Sequence, residues 1–97
     1  MRIEILEEAR RDLVEGFQFY ENQQQGLGAY FLSNLYADIE YLKTYAGIHH
    51  KPFKPYHRQL SKKFPFGIFY TVENETVSIH AVLDLRRSPT WIRKRLR

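Results

Sequence analysis

Residues 66–85 read FGIFYTVENETVSIHAVLDL and contain the clearest strand pattern in the chain. Apolar residues alternate on either side of Asn74-Glu75, which is the period-two pattern of a β-strand. With a two-residue turn at Asn74-Glu75 the facing pairs on one side are all apolar: Val72–Val77, Tyr70–Ile79, Ile68–Ala81 and Phe66–Leu83. Asn-Glu is not a favoured turn pair, so a longer loop is the alternative. The stretch predicts a hairpin of two strands, Phe66–Glu73 and Thr76–Leu85.

The segment before this hairpin predicts one strand and two amphipathic helices. Arg2–Leu6 has the alternation of a short strand, and the period then changes to that of a helix. Gly26 and Gly47 mark the two helix ends. The first helix has the apolar stripe Ala9, Leu13, Phe17 and Tyr20, and the second has Phe31, Leu35, Ile39 and Leu42, broadened by Leu32 and Tyr36. The short glycine-containing loop between them predicts an antiparallel helical hairpin.

Two shorter segments complete the order of elements. Residues 48–55 contain two prolines and predict a loop, after which Tyr56–Leu60 predicts a strand. Ser88 is placed to cap a short helix that Pro89–Arg97 could form at the C-terminus. We therefore expect a single α+β domain over residues 1–97 with the order β-α-α-β-β-β. The helical hairpin should cover one face of a mainly antiparallel sheet and leave the other face available.

Charge is divided unevenly between the two halves of the chain. Residues 1–40 carry 3 basic and 8 acidic side chains and residues 41–97 carry 12 basic and 3 acidic ones, so the net charges are −5 and +9. The basic half predicts an anionic partner, nucleic acid or an acidic protein, unless the acidic half compensates it internally. The absence of cysteine excludes disulfides and thiolate metal sites and favours the cytoplasm. No apolar run approaches the roughly 18 residues of a membrane helix.

Three motifs follow one another along the chain. Residues 9–13 (ARRDL) with Phe19-Tyr20 form an A-x-x-D-L…Y-Y-like opening, and residues 26–31 (GLGAYF) match G-L-G-x-x-F. Residues 63–70 (KFPFGIFY) and 79–89 (IHAVLDLRRSP), with Trp91 and Arg93, form the third. In order and spacing these motifs resemble the RelE/ParE toxin superfamily, and the third is similar to the ending of plasmid-stabilisation toxins. Asp84 departs from the pattern, since relatives often carry histidine there. The resemblance covers nearly the whole chain and implies the same β-α-α-β-β-β fold.

The resemblance also implies a function. Members of the superfamily are toxins of toxin–antitoxin modules, held in a hetero-oligomer with a cognate acidic antitoxin. RelE-like members cleave messenger RNA, usually on the ribosome, whereas ParE-like members bind DNA gyrase and have no known chemistry, so the shared fold does not decide between them. We expect a ParE-like, cytoplasmic toxin that arrests growth by inhibiting gyrase. The alternatives are a RelE-like, metal-independent endoribonuclease and a non-toxic nucleic-acid-binding module on the same scaffold.

The residues that RNA cleavage would need are only partly present. A metal-free ribonuclease needs groups that take the 2′-hydroxyl proton, stabilise the phosphorane and protonate the leaving oxygen. Gly67 stands where the resemblance implies an arginine, and His57 and Gln59 stand where it implies lysines. Arg87 does match a family arginine. If the protein is a ribonuclease, the catalytic candidates are Arg87, His57, Lys62 and Lys63, which could converge on the open sheet face with His80 and Arg86.

A second set of candidates would bind the target or the antitoxin: Arg86, Arg87, Trp91, Arg93, Lys94, Arg95 and Arg58. An arginine can grip phosphate or carboxylate through its planar fork, although Arg86-Arg87 could also be a solvated pair that closes a strand. Trp91 could fill a pocket in a partner or pin the last turn onto the core. His49-His50 is a poor metal pair, because adjacent residues do not readily aim both imidazoles at one ion. We expect neither a metal nor a cofactor.

Overall fold

The fold is a four-stranded sheet with a helical layer on each face. The computed structural model describes all 97 residues. The elements are β1 (Arg2–Ile5), α1 (Glu7–Gln23), α2 (Leu27–Tyr45), β2 (His57–Leu60), β3 (Phe66–Glu73), β4 (Thr76–Asp84) and α3 (Pro89–Arg95). The strand order is β1-β4-β3-β2, with β1 parallel to β4 and the other neighbours antiparallel. The predicted α+β class and order of elements are confirmed, and the short C-terminal helix forms.

The α1–α2 hairpin packs on one face of the sheet and forms the main core. The two predicted stripes supply this core except for Phe17, which is half-buried and lies outside it, and Leu13, Phe31 and Leu35 are each at most 2% exposed. Burying such side chains contributes about 1.5–3 kcal/mol each relative to leaving them exposed. Tyr36 is an exception. It is 44% exposed and borders a shallow groove beside β1, so the prediction that it broadens the stripe is wrong.

The β3–β4 hairpin contains a bulge that the sequence pattern did not predict. Asn74 and Glu75 form the two-residue turn with φ angles of 50° and 62°. The pairs near the turn, Val72–Val77 and Tyr70–Ile79, are confirmed. Beyond them the register shifts at His80, so that Ile68 pairs with Val82, and Phe66 pairs with Asp84. The predicted pairs Ile68–Ala81 and Phe66–Leu83 are wrong, because the extra residue in β4 turns Ala81 and Leu83 to the opposite face.

That opposite face is covered where it was expected to be available. Phe69, Ala81 and Leu83 form a second core with Ile92 and Leu96 of α3, and Phe53, Tyr56, Leu85 and Trp91 pack against it. The Ser88 side chain caps α3 as predicted, since its Oγ accepts a hydrogen bond from the Trp91 amide at 3.1 Å. The expectation of an open face is therefore wrong for this half of the sheet, because the bulge makes the strand face apolar and α3 buries it.

Candidate functional site

The chain leaves β4 through a turn that presents the Arg86-Arg87 pair. The Arg86 side chain is engaged within the turn: its Nε and Nη2 donate to the Asp84 carboxylate at 3.0 and 2.7 Å, and its backbone amide donates at 2.9 Å. These hydrogen bonds hold the pKa of Asp84 below its usual value. Both arginines lie beyond the last residue of the strand, so the pairing of Arg86 leaves Arg87 as the free guanidinium of the two.

Arg87 lies over the indole ring of Trp91, with its guanidinium carbon 4.5 Å from the ring centroid. An exposed contact of this kind contributes about 0.5–1 kcal/mol and orients both groups. Together with Phe19, which is 51% exposed, and Glu15 they line a groove of about 290 Å³ between α1 and the turn after β4. We call it the α1–α3 groove. It can take an apolar side chain of a partner, flanked by a carboxylate that pairs with Arg87.

Arg95, a predicted binding residue, is held inside the fold. Its guanidinium donates to the carboxylate of Asp12, a residue that is 7% exposed, and lies 3.9 Å from Glu8 Oε2. The same carboxylate accepts a hydrogen bond from the Val82 amide at 3.0 Å. Burial raises the pKa of Asp12, while the bonds from Arg95 and Val82 oppose that rise. A binding role for Arg95 would require this pair to break, which is costly for a buried carboxylate.

The other basic residues of α3 are presented to solvent. Arg93 and Lys94 are exposed and form no ion pair, and the Arg93 guanidinium carbon lies 5.4 Å from the centroid of the Phe53 ring. Arg58, on β2, is half-buried, and its Nε is buried without a hydrogen-bond partner. Of the predicted binding residues, Arg86, Arg87, Arg93 and Lys94 are therefore exposed and Trp91 is half-buried, and Arg86 is the one of these that is bound to a carboxylate.

His57 and Gln59 face the helical layer formed by α1 and α2. The His57 ring stacks on Tyr70 with centroids 5.0 Å apart, and its Nδ1 lies 2.7 Å from the His49 carbonyl oxygen. Gln59 is 5% exposed and donates to the Asp38 carbonyl at 2.8 Å. The expectation that His57 converges with Arg87 on one open face is wrong, because the β2–β3 register places His57 beside Tyr70 of the main core.

Gly67 faces the second core, and the space beside it is filled. A Cβ atom at Gly67 would lie 2.9 Å from Leu85 Cδ2 and 3.2 Å from Arg58 Cγ. Both distances are shorter than an ordinary carbon–carbon contact. An arginine at this position, as the family resemblance implies for a nuclease, would have to displace Leu85 and Arg58.

Lys62 and Lys63 lie in the loop between β2 and β3. The Lys62 ammonium lies 5.5 Å from the centroid of the Tyr41 ring, and the Lys62 backbone amide donates to the Asp38 carboxylate at 3.3 Å. Lys62 therefore packs against α2. Lys63 is exposed. The Leu85 amide donates to the Pro65 carbonyl at 2.8 Å, so this loop adjoins the turn that carries Arg87. The structure thus brings the β2–β3 loop, with Lys62 and Lys63, next to the turn that carries Arg87, while His57 lies on the face of the sheet that α1 and α2 cover.

A histidine–tyrosine cluster that the sequence did not reveal fastens the loop after α2 to the sheet. The hydroxyl of buried Tyr70 lies 2.5 Å from His49 Nδ1 and accepts a hydrogen bond from the Gly47 amide at 3.0 Å. The Tyr70 hydroxyl can donate to His49 Nδ1 or accept from it, according to the tautomer of the ring. Burial, together with nearby His57, lowers the pKa of His49, and burial raises the pKa of Tyr70.

His80, the extra residue of the bulge, is also engaged. Its Nε2 lies 2.9 Å from Thr71 Oγ1, its ring packs edge-on against Tyr56, and burial lowers its pKa. No group of three or more His, Cys, Asp or Glu residues is placed to hold one metal ion. None of the helices combines the length and the apolar character that crossing a membrane requires.

The chain is similar in structure to a chain of the chromosomal ParDE TA system from P. aeruginosa, with a TM-score of 0.82. The similarity covers 88% of this chain and 96% of that chain at 15% sequence identity. No family model matches the sequence, and no curated protein matches it. At this identity the likeness concerns the fold alone. The chain thus has the fold of a chain of a ParDE toxin–antitoxin system, which confirms the fold implied by its resemblance to the RelE/ParE superfamily.

Proposed function

We propose that this protein is the ParE-like toxin of a toxin–antitoxin module, and that it arrests growth in the cytoplasm by binding DNA gyrase without chemistry of its own. Two observations support the proposal. The first is the shared fold with a chain of a ParDE system over most of both chains. The second concerns the positions at which a ribonuclease of this scaffold would need its catalytic groups.

The positions of these groups favour binding over cleavage. Transition-state charge on a phosphorane must be met by preorganised donors that point at one place. Here Gly67 offers no donor and the space beside it is filled, while His57 and Gln59 point into the helical layer. Arg87 shares its groove with the carboxylates of Glu15 and Asp84, and no histidine, lysine or tyrosine lines that groove. This arrangement favours a surface that binds over a site that cleaves.

The α1–α3 groove is the binding surface that we assign to the partner. It joins an exposed aromatic, Phe19, to the Arg87–Trp91 pair, and anchors of this kind commonly dominate interface energies. The cognate antitoxin would be an acidic protein that lays an apolar side chain in the groove and a carboxylate on Arg87, forming a hetero-oligomer. The neighbouring Arg93 and Lys94 would extend the attraction to its other acidic residues.

The proposal is tested by inducing the protein without its antitoxin and following DNA and protein synthesis separately by pulse-labelling. An early fall in DNA synthesis, with inhibition of supercoiling by purified gyrase, is the expected result. An early fall in protein synthesis, with cleaved messenger RNA, would replace the proposal by the ribonuclease alternative. Growth that continues unchanged would favour the third alternative, a non-toxic nucleic-acid-binding module.

A single substitution tests the groove itself. Arg87→Ala should reduce toxicity and leave the fold intact, because Arg87 makes no ion pair and its contact with Trp91 is exposed. Arg10→Ala is a matched control, since it removes an exposed, unpaired arginine from α1, outside this groove. Full toxicity of Arg87→Ala would rule out this role for Arg87, and a loss of folding would show that the residue is structural.

A further inference from the structure

A second groove lies on the other side of α3, between that helix and the proline-containing loop that precedes β2. Its volume is about 460 Å³. Its lining consists of Pro52, Phe53, Lys54, Pro55, Tyr56, Arg93, Leu96 and Arg97. We call it the loop–α3 groove. It shares no residue with the α1–α3 groove.

The charges in the loop–α3 groove have one sign. Lys54, Arg93 and Arg97 line it and are exposed, none of them forms an ion pair, and no acidic side chain contributes to the lining. Lys51 and Lys94 are neighbours along the chain and are likewise exposed and unpaired. The α1–α3 groove differs, since Asp12, Glu15 and Asp84 also line it. Three cations around one concavity, with no acidic side chain in its lining, create a positive potential that attracts anions.

The walls of the groove are fixed before any ligand arrives. The Tyr56 hydroxyl donates to the Leu96 carbonyl at 2.9 Å, which ties the loop to the end of α3. The Tyr56 amide donates to the Phe53 carbonyl at 3.0 Å, and the Phe53 ring packs on Phe69 with centroids 6.2 Å apart. Arg93 covers the outer side of Phe53. The groove therefore offers preorganised charge, and its Phe53 ring already contacts Phe69 and Arg93.

We propose that the loop–α3 groove binds the phosphate backbone of duplex nucleic acid. Arginine and lysine side chains bind phosphate oxygens whatever the base sequence, and arginine does so through a two-pronged fork. The Phe53 ring, which contacts Phe69 and Arg93, is not free to stack on a base, and this favours a duplex over a single strand. An acidic protein segment is the competing occupant, because Pro52, Pro55 and Leu96 also line the groove. The five exposed cations of the loop and α3 (Lys51, Lys54, Arg93, Lys94 and Arg97), with no acidic side chain in either segment, favour a phosphate backbone over it. This proposal does not depend on gyrase binding.

The experiment measures binding of the purified protein to a labelled duplex by fluorescence anisotropy over a range of salt concentrations. Each phosphate contact adds about −0.9 to the slope of log K against log salt, so three contacts give a slope of about −2.7. Single-stranded DNA and a polyglutamate peptide are the comparison probes. Equal or tighter binding of polyglutamate would overturn the proposal in favour of an acidic protein, and tighter binding of the single strand would overturn the duplex assignment.

The variants locate the contact. Arg93→Ala and Lys54→Ala should each make the slope shallower by about 1, independently of base sequence. Arg10→Ala removes the same charge from a distant, exposed position and should leave the slope unchanged within error. Thermal melting checks that each variant folds. Because the Arg93 side chain contacts the Phe53 ring, Arg93→Ala could also disturb the loop, and Lys54→Ala then tests the groove independently. Slopes that respond equally to Arg10→Ala and to the two groove variants would show diffuse attraction to net charge and would overturn the site.

Discussion

Replacing Asp12 by alanine should destabilise the fold more than any other single loss of a carboxylate on α1. The Asp12 side chain joins three elements, because it accepts hydrogen bonds from the Val82 amide of β4 and from Arg95 of α3. Val82 lies beyond Ile79, the last residue of β4 that pairs with β1, so no neighbouring strand supplies an acceptor on that side. A carboxylate on α1 takes the place of the missing strand.

The magnitude follows from the two bonds. Loss of the acceptor leaves a buried Val82 amide unsatisfied, which costs about 1–3 kcal/mol. Arg95 also loses its close partner, although its side chain is 22% exposed and water replaces part of that interaction, so this second loss adds about 1 kcal/mol. The expected loss in the free energy of unfolding is about 2–4 kcal/mol, which lowers the Tm of a domain of this size by at least about 8 °C.

Urea unfolding followed by circular dichroism measures the effect, with two comparison variants. Asp12→Asn keeps an oxygen that can accept from Val82 and loses only the charge, so it should cost about half as much as Asp12→Ala. Glu15→Ala removes an exposed carboxylate from the same helix and should change stability by less than about 0.5 kcal/mol. If Asp12→Ala were no more destabilising than Glu15→Ala, the Val82 amide would have another partner and the reasoning would be refuted.

Two further predictions concern the main core and the histidines. Gly16→Ala should lower the free energy of unfolding by about 1–3 kcal/mol, because the new Cβ would lie 2.5 Å from two ring atoms of fully buried Phe31; Gln18→Ala on the exposed side of α1 is the control. Burial lowers the pKa of His49 and of His80, so the unfolded chain takes up protons first as the pH falls below about 6.5. Stability should therefore be intact above that pH and decline below it, and thermal melting at a series of pH values should show a smaller decline for His49→Gln than for the wild type.

The main core could be predicted from the sequence because local periodicity determines it. The helical stripe around Leu35 and the alternation around Tyr70 place apolar residues at most inward positions, and buried Asp38 is the polar exception on α2. The bulge at His80 could not be predicted in this way. Ala81, Val82 and Leu83 are all apolar, so the alternation that would reveal a one-residue shift is absent. The second core follows from that shift.

The positions of site residues near the end of a strand could be predicted from the sequence. The face of the sheet on which a strand residue lies could not. Arg86 and Arg87 had to lie near the end of a strand, and the family resemblance already pointed to Arg87. The orientation of His57 depends on the β2–β3 register, and a half-polar imidazole gives no signal for either face. Asp12 looks like a solvated residue of an amphipathic helix, and only its place in the A-x-x-D-L motif marks it.

The bulge at His80 connects the fold to the proposed function. By turning Ala81 and Leu83 outward it creates the apolar surface that α3 covers, and Leu85, which packs against that second core, lies beside Gly67 where a nuclease of this scaffold would place an arginine. The same packing places α3 between two grooves of different character. The α1–α3 groove combines exposed Phe19 and half-buried Trp91 with side chains of both charge signs, which suits a protein partner. In the loop–α3 groove every charged side chain is a cation, which suits phosphate. One extra residue in β4 therefore underlies both the filled space beside Gly67 and the position of α3 between the two grooves, and we expect substitutions in one groove to leave binding at the other unchanged.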